Sequence, residues 1–234
     1  MNTGYVFAPP VRVTTAVRDS EDRFPVRRIF CVGRNYAEHV REMGGDPRSE
    51  LPIFFMKPAD ALVQGGSTVP YPPGTCDLHH EVELVVALHR GGRHIGISDA
   101  QAHVYGYAVG NDLTRRDLQS LARSRGLPWD MAKGFDASAQ ISRIHPVERF
   151  GHPSGNAIWL KVNGTQRQHS TLDRMIWSVP EIISALSALV ELQPGDLIYT
   201  GTPDGVGALV PGDVVTAGIE GLEQLEFRIA TVAV

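Results

Sequence analysis

The most informative stretch of the sequence is His79-His80-Glu81-Val82-Glu83-Leu84-Val85-Val86-Ala87-Leu88. From Glu81 onward it begins with alternating charged and apolar residues, which is the pattern of a β-strand. Side chains two positions apart on a strand share a face, so we expect Glu81 and Glu83 to lie side by side. Val82 and Leu84 would then face the core.

Turn residues divide the rest of the chain into short apolar segments. Gly91-Gly92 predicts a turn that joins the stretch above to a strand over 93–97, which makes this the clearest hairpin of the sequence. Asn163-Gly164 predicts a second hairpin. Further strands are expected at 29–32, 53–56, 104–109, 158–162, 197–200 and 214–217.

Helices are fewer. Thr114 is expected to be the N-cap of a helix that runs through Ala122 and ends near Gly126. Helix-forming residues at 35–43 and apolar residues with helical spacing at 180–190 predict two more. Because the strands do not alternate regularly with helices, the predicted fold class is α+β and strand-rich.

Length and composition indicate one domain with a small appendage. The chain has 234 residues, of which 42% are hydrophobic and 21% charged, so it can bury a sizeable core and is not a disordered protein. The first segment is rich in proline and charge. We therefore expect residues 1–28 to form an N-terminal extension and residues 29–234 to form the main domain.

The charge balance and the cysteine content limit the classes of partner. With 22 Lys and Arg against 26 Asp and Glu, the formal net charge is -4 at pH 7, so we expect neither nucleic acid nor an anionic membrane as a partner. No apolar run is long enough to span a bilayer, and the N-terminus lacks the basic start of a signal peptide. Cys31 and Cys76 are too few for a disulfide framework, which favours a cytoplasmic protein.

Three acidic residues are candidate metal ligands. Two adjacent carboxylates repel each other, and a divalent cation can hold both in the ionised form. Gly110-Asn111 places Asp112 at the end of a predicted strand, where it could join Glu81 and Glu83. Three oxygen ligands favour Mg²⁺, Mn²⁺ or Ca²⁺ over Zn²⁺. The alternative is an exposed strand face that carries two glutamates without a metal.

Histidines leave a second type of metal site open. A zinc site would use His39, His79 or His80, but His80-Glu81-Val82-Glu83-Leu84 lacks the second histidine of the H-E-x-x-H helix. Two histidines and one carboxylate could also bind iron, as in oxygenases. The alternative is that His79 and His80 are turn residues beside the strand.

Other polar residues are candidates with weaker patterns. His39 and Glu42 lie three apart, so on a helix the carboxylate can orient the imidazole to activate water, or both can face solvent. Lys133 alone is most simply a surface charge. Arg115, Arg116, Gln119 and Arg123 form the polar side of the predicted helix after Asp112, which could receive an anion or face water. The glycine-rich loop at 201–207 lacks a P-loop ending and could line a site with Thr202.

Five motifs together resemble the fumarylacetoacetate hydrolase family. They occur in the family's order and cover about residues 29–230. They are Gly33-Arg34-Asn35-Tyr36-Ala37-Glu38-His39, His79-His80-Glu81-Val82-Glu83-Leu84, Gly110-Asn111-Asp112-Leu113-Thr114-Arg115-Arg116-Asp117, Lys133-Gly134-Phe135-Asp136 and Gly201-Thr202-Pro203-Asp204-Gly205-Val206-Gly207.

The resemblance implies a mixed β-roll, a homodimer and a Mg²⁺ or Mn²⁺ ion held by Glu81, Glu83 and Asp112. It implies that a mobile lid helix carries His39 and Glu42 for the activation of water, and that Lys133 is the active-site lysine. The positions that match substrate contacts in the family are Arg34, Arg116, Gln119 and Thr202.

The activity that the resemblance implies is the hydrolysis of a carbon–carbon bond in a 2,4-dioxo acid. Within the family the chain is most similar to enzymes that cleave fumarylpyruvate to fumarate and pyruvate in gentisate degradation. It is also similar to acylpyruvases with oxaloacetate decarboxylase activity. An isomerase of unsaturated 2-oxo acids is a further alternative, and a metal-stabilised β-rich binding module without turnover is an alternative of another class.

Overall fold

Strands outnumber helices in the computed structural model, which describes residues 4–36 and 51–231. In chain order the strands are β1 (Thr14–Ala16), β2 (Arg23–Pro25), β3 (Arg28–Gly33), β4 (Ile53–Lys57), β5 (Leu62–Gln64), β6 (Thr68–Val69), β7 (Leu78–His80), β8 (Val82–Leu88), β9 (Val104–Asp112), β10 (Thr114–Arg115), β11 (Ala139–Ile141), β12 (His145–Pro146), β13 (Ala157–Val162), β14 (Thr165–Thr171), β15 (Asp196–Tyr199), β16 (Gly207–Leu209), β17 (Val214–Ile219) and β18 (Leu225–Ile229). The helices are α1 (Arg116–Arg125), α2 (Asp130–Lys133), α3 (Val147–Phe150) and α4 (Val179–Leu189), with 3₁₀ turns at Ala59–Ala61, Ala100–His103 and Leu172–Arg174.

The largest sheet has eight strands and mixed direction. Its order is β4-β3-β15-β8-β9-β11-β5, and β12 pairs with β9 beside this path. The β15–β3 and β11–β5 pairs are parallel, whereas the other pairs are antiparallel. β8 lies in the middle and every one of its side chains is buried, because both faces of the sheet are covered.

Two apolar clusters cover the two faces of β8. Leu84 belongs to the larger cluster, together with Leu160 and Val215 of a five-stranded sheet in the order β14-β13-β17-β18-β6 and with Ile183 of α4. Val85 belongs to the smaller cluster on the opposite face. The fold-class prediction is therefore confirmed: the chain is a strand-rich α+β protein with a mixed sheet and few helices.

Two small sheets complete the described strands. β10-β7-β16 form a three-stranded sheet, and β1-β2 form an antiparallel pair. Phe24 of β2 packs into the smaller apolar cluster, so this part of the N-terminal segment contacts the main sheet. The division of the chain at residue 28 stays a prediction. None of the helices in the described ranges has the length and the apolar character that a membrane span requires.

Most of the predicted strands are present, and so is the helix predicted at 180–190. That helix is α4, and Ser178 closes its N-terminus in a capping box with Glu181. The hairpin around Asn163-Gly164 is β13–β14. The helix predicted at 35–43 lies mostly outside the described residues.

The predicted hairpin across Gly91-Gly92 is wrong. β8 pairs with β9 and β15 instead, and no strand forms over 93–97. These glycines instead allow the backbone to lie close to the segment around Leu192: Gly92 and Leu192 each donate a backbone hydrogen bond to the other. A Cβ on Gly91 would lie 2.2 Å from the carbonyl oxygen of Leu192, so only glycine fits there.

Two local predictions around the site also need correction. Thr114 does not cap α1, because it pairs with His79 in the β10–β7 ladder, and the helix begins only at Arg116. Its hydroxyl donates to the carbonyl of Asp112 instead. His79 and His80 lie in strand β7 rather than in a turn.

Candidate active site

Three carboxylates meet at one end of the β8–β9 pair. Glu81 precedes β8, Glu83 lies within it, and Asp112 is the last residue of β9. One carboxylate oxygen from each residue lies within 4.8 Å of the others, and all three residues are buried. Within the parts of the chain that the structure describes, this cluster contains no histidine, so it has the character of an oxygen-donor site.

The backbone fixes this convergence. The amide of Asp112 donates to the carbonyl of Glu81 over 2.8 Å, and the amide of Glu81 donates to the side chain of Asn111. Gly110 lies opposite Glu83 in the ladder, where a Cβ would come within 2.6 Å of both Val85 and Tyr199. The glycine therefore allows the two strands to pack closely where the carboxylates meet.

Two lysines and one arginine balance the negative charge. Lys133 Nζ donates to Glu81 Oε2 and to Asp112 Oδ2, both over 2.7 Å. Lys57 Nζ lies 2.8 Å from Asp112 Oδ1 and donates to the carbonyls of Leu113 and Lys133. Arg116 Nη2 donates to Glu81 Oε1. Both lysines are almost fully buried, so neither is a surface charge.

The three carboxylates do not share these cations evenly. Burial raises the pKa of Glu81, but Lys133 and Arg116 outweigh it and bring the pKa to about 2. Burial, Asp112 and Glu81 all raise the pKa of Glu83, and only Lys133 and a hydrogen bond from the Gly201 amide oppose them. For Lys133, burial lowers the pKa, but the carboxylates of Asp112 and Glu81 raise it overall, so the ammonium is charged.

The donor set fits a divalent cation. Asp112 Oδ1 is buried, and this oxygen accepts no hydrogen bond from the described residues. Lys57 Nζ lies 2.8 Å away and contributes a positive charge. Glu83 has no ion-pair partner within the described ranges. Both carboxylates therefore keep lone pairs that a cation could use, and hard oxygen donors suit Mg²⁺ or Mn²⁺ better than Zn²⁺.

The loop after β15 forms the next wall of the site. The amide of Gly201 donates to Glu83 Oε2 over 2.8 Å. Gly201 has φ +96°, a conformation that favours glycine, and a Cβ there would lie 2.7 Å from Asn35 Cβ. Asn35 donates to the carbonyl of Thr200, which ties the segment after β3 to this loop.

Buried Gln168 joins this loop to β8. Its side-chain oxygen accepts from the amide of Val82 and contacts His80 Nδ1, and its amide donates to Thr202 Oγ1 over 2.8 Å. Thr202, a predicted substrate contact, thus stands beside the carboxylate cluster. Burial lowers the pKa of His80, which fits a neutral structural histidine.

Arg116 is held in place by its neighbours. It donates to Gln119 Oε1 and to His79 Nδ1, and His79 Nε2 lies 2.8 Å from Asp77. Two predicted substrate contacts, Arg116 and Gln119, are therefore adjacent on α1. Arg34 is exposed and lines an open groove beside α1. His39 and Glu42 lie outside the described residues.

Sequence reasoning missed Lys57 and Gln168. A signal for Lys57 exists, because it is a lone lysine at the end of the apolar strand Ile53-Phe54-Phe55-Met56, where a surface charge is unexpected. Gln168 lies among polar residues on β14, and no local pattern separates it from them.

Comparison with known proteins identifies the family of this arrangement. The family model described as fumarylacetoacetate (FAA) hydrolase C-terminal matches residues 28–230. A mitochondrial oxaloacetate tautomerase of Rattus norvegicus is 45% identical over 203 residues, which are 87% of this chain and 91% of that protein. A fumarylpyruvate hydrolase of a Ralstonia species is 46% identical over 186 residues, which are 79% and 95% of the two chains.

A solved structure extends the likeness to nearly the whole chain. The fumarylpyruvate hydrolase of Pseudomonas aeruginosa, in complex with Mn²⁺ and pyruvate, superposes with a TM-score of 0.94 at 49% identity. The match covers 97% of this chain and all of that one. The resemblance inferred from the five motifs is thus confirmed, and this chain belongs to the fumarylacetoacetate hydrolase family.

Proposed function

We propose that this protein is a metal-dependent hydrolase that cleaves a carbon–carbon bond in a 2,4-dioxo acid, with fumarylpyruvate as its main substrate. The observation that carries the proposal is the buried cluster of Glu81, Glu83 and Asp112 with the Lys133 ammonium beside it. The relatives support the choice of substrate. One is named for fumarylpyruvate hydrolysis, and another binds pyruvate, which is a product of that reaction.

The proposed ligands of the ion are Glu81, Glu83 and Asp112, and the proposed ion is Mg²⁺ or Mn²⁺. When bound, such an ion supplies a Lewis acid that stabilises negative charge on the oxygens of a 2-oxo acid. The Mn²⁺ of the Pseudomonas relative supports this assignment.

The reaction adds water across the bond between the acyl carbonyl carbon and the methylene carbon of pyruvate. Hydroxide bonds to the acyl carbon, the carbon–carbon bond breaks, and its electron pair stays on the pyruvate enolate, which then takes up a proton. We assign the removal of the water proton to His39, oriented by Glu42. Lys133, whose ammonium stays charged, is assigned to stabilise the oxyanion.

The remaining predicted features belong to the same proposal. Substrate contacts are assigned to Arg34, Arg116, Gln119 and Thr202. We further propose a homodimer that acts in aromatic catabolism in the cytoplasm, where the free thiols Cys31 and Cys76 would stay reduced. Light scattering of the purified protein and fractionation of the source cells test the assembly and the location.

A substrate panel at one fixed Mg²⁺ concentration tests the activity. Fumarylpyruvate, maleylpyruvate, acetylpyruvate and oxaloacetate are compared by loss of the substrate's ultraviolet absorbance, and fumarate and pyruvate are quantified as products. We expect the highest kcat/KM for fumarylpyruvate. Metal-dependent thermal stability without turnover of any substrate would instead support a binding module.

A second candidate reaction at this site acts on oxaloacetate. The Rattus relative is named as an oxaloacetate tautomerase, and both tautomerisation and decarboxylation of oxaloacetate proceed through an enolate without an attacking water. His39→Ala separates the two candidates. Hydrolysis of acylpyruvates should fall at least about a hundredfold, as is typical for loss of a general base, while decarboxylation of oxaloacetate, which removes no proton, is retained.

A further inference from the structure

An open groove of about 730 Å³ lies along helix α1. Its walls include Arg34, Ser120, Arg123 and Trp129. These residues come from three segments: the residue after β3, helix α1, and the link from α1 to α2, which leads to Lys133. The groove is thus built on the same elements that position Arg116 and Lys133.

The groove is positively charged. Arg34 and Arg123 are both exposed, and neither forms an ion pair or a side-chain hydrogen bond with any residue in 4–36 or 51–231. The pKa of Arg123 is lowered, first by partial burial and then by the positive charges of Arg34 and Arg116. Three guanidinium groups therefore lie close enough to repel each other, and an anion between them would relieve that repulsion.

Helix geometry connects this charge to the reacting centre. Arg116 and Arg123 are seven residues apart, which is two turns or about 10 Å along one face of α1. Arg116 touches Glu81 at the near end, and Arg123 lines the groove at the far end. A substrate that binds at the carboxylate cluster and extends along this face would bring its distal end toward Arg123.

We propose that Arg123 and Arg34 bind the distal carboxylate of an extended acyl group and so determine the substrate specificity of the site. This inference rests on the proposed function. In fumarylpyruvate the trans double bond holds the second carboxylate five bonds from the 2-oxo carbon. In maleylpyruvate the cis double bond turns the second carboxylate back toward the rest of the molecule. In oxaloacetate the second carboxylate is only two bonds from the 2-oxo carbon, and acetylpyruvate has no second carboxylate.

The test is the steady-state kinetics of the Mg²⁺-loaded enzyme and its Arg123→Gln variant with fumaryl-, maleyl- and acetylpyruvate. One lost charge-assisted contact should lower kcat/KM for fumarylpyruvate about tenfold, mainly through KM. The loss for the other two substrates should stay below about threefold, because they do not place a carboxylate in the groove. Arg34→Gln should act in the same direction, and Arg123→Lys should restore part of the loss.

Arg125→Gln is the matched control, because Arg125 lies on the same helix, is exposed, and does not line the groove. Its kinetics should stay within about twofold of wild type for every substrate. Equal losses for all three substrates in Arg123→Gln would mean that the arginines only attract anions, and no loss would mean that they are a solvated surface. Either result overturns the proposal.

A binding measurement separates this inference from the proposed function. If the loaded wild-type enzyme turns over no acylpyruvate, the proposed function fails. Calorimetric titration with fumarylpyruvate then tests the groove directly, with binding to Arg123→Gln about tenfold weaker than to wild type if the inference holds. Equal affinities would overturn it.

Discussion

Two buried aspartates lie at opposite ends of the large sheet and have very different surroundings. Asp196 begins β15 beside the end of β8, and Asp112 ends β9 beside its start. Asp196 is fully paired: Arg28 donates to both of its oxygens, and the amide of Gln193 caps one of them. Asp112 has two lysines, but it shares one of them with a second carboxylate and has a third carboxylate beside it.

The difference separates a carboxylate held in a structural ion pair from one whose surroundings suit a ligand. At the Asp196 end, a bidentate arginine satisfies the carboxylate and joins β15 to β3. At the Asp112 end, three acids compete for a few cations, which raises the pKa of Glu83 through burial and the neighbouring carboxylates. A protein holds such a cluster at a cost in stability, and that cost indicates a ligand site.

Removal of divalent cations is the change with the largest expected effect, and it should act at the Asp112 end of the sheet and not at the Asp196 end. Metal-free protein should lose acylpyruvate hydrolysis completely. Mn²⁺ at about 100 times its Kd should raise the free energy of unfolding by about 2.7 kcal/mol and Tm by about 5–10 °C. Differential scanning calorimetry and absorbance assays measure both. Full activity in protein shown to be metal-free would exclude the proposed ligand set.

Asp112→Asn should come next, with hydrolysis reduced about a thousandfold or more, since several kcal/mol of charge stabilisation are lost. The rise in Tm on addition of Mn²⁺ should disappear as well. Asp196→Asn is the matched control at the other end of the sheet. It should lower stability yet keep both the activity of the folded fraction and the response to Mn²⁺. If the two variants behave alike, the distinction between the two aspartates is wrong.

Lys57→Met tests the cation that sequence reasoning missed. It removes a buried partner of Asp112, so we expect a loss of about 3 kcal/mol in the free energy of unfolding, as for other broken buried ion pairs. kcat should also fall, because Asp112 loses a contact that orients it. Arg28→Met removes the corresponding cation from Asp196 and should destabilise without lowering kcat. Urea unfolding and kinetics at saturating Mg²⁺ measure the pair.

The smallest expected effect is a pH dependence of stability at His145, away from the carboxylate cluster. The ring accepts a hydrogen bond at Nε2 from the amide of Glu223, and burial followed by the charge of Arg18 lowers its pKa. Because the folded pKa lies below the unfolded value, the contribution is complete above about pH 6.5 and is lost as pH falls through the folded pKa.

His145→Gln, which keeps an acceptor but does not titrate, is the comparison for this effect. Wild type should lose more stability than the variant between pH 7.5 and 5.5. The difference should stay below about 1 kcal/mol, because the half-exposed ring is screened by solvent. Parallel curves for the two proteins would assign the pH dependence to other groups.

Most strands could be predicted from the sequence, because an apolar segment bounded by turn residues can be recognised without knowing its contacts elsewhere in the chain. It failed at Gly91-Gly92, where the glycines meet Leu192 from a distant part of the chain instead of forming a turn. It also failed at Thr114, because pairing with β7 displaced the start of the helix. In both cases a contact far along the chain overrode a local pattern.

By itself, the sequence determined the chemistry available at the site: three carboxylates at the right positions, Lys133, and the order of motifs that marks the family. The tertiary structure alone decided how the charges are balanced. Lys57 and Gln168 reach the site from β4 and β14. The apolar strand before Lys57 hints at a buried lysine, but nothing near either residue in sequence shows which groups of the site it contacts. The physical reason is that burial and charge pairing depend on distances in space, and these are set only when β8, β9 and the neighbouring segments pack together.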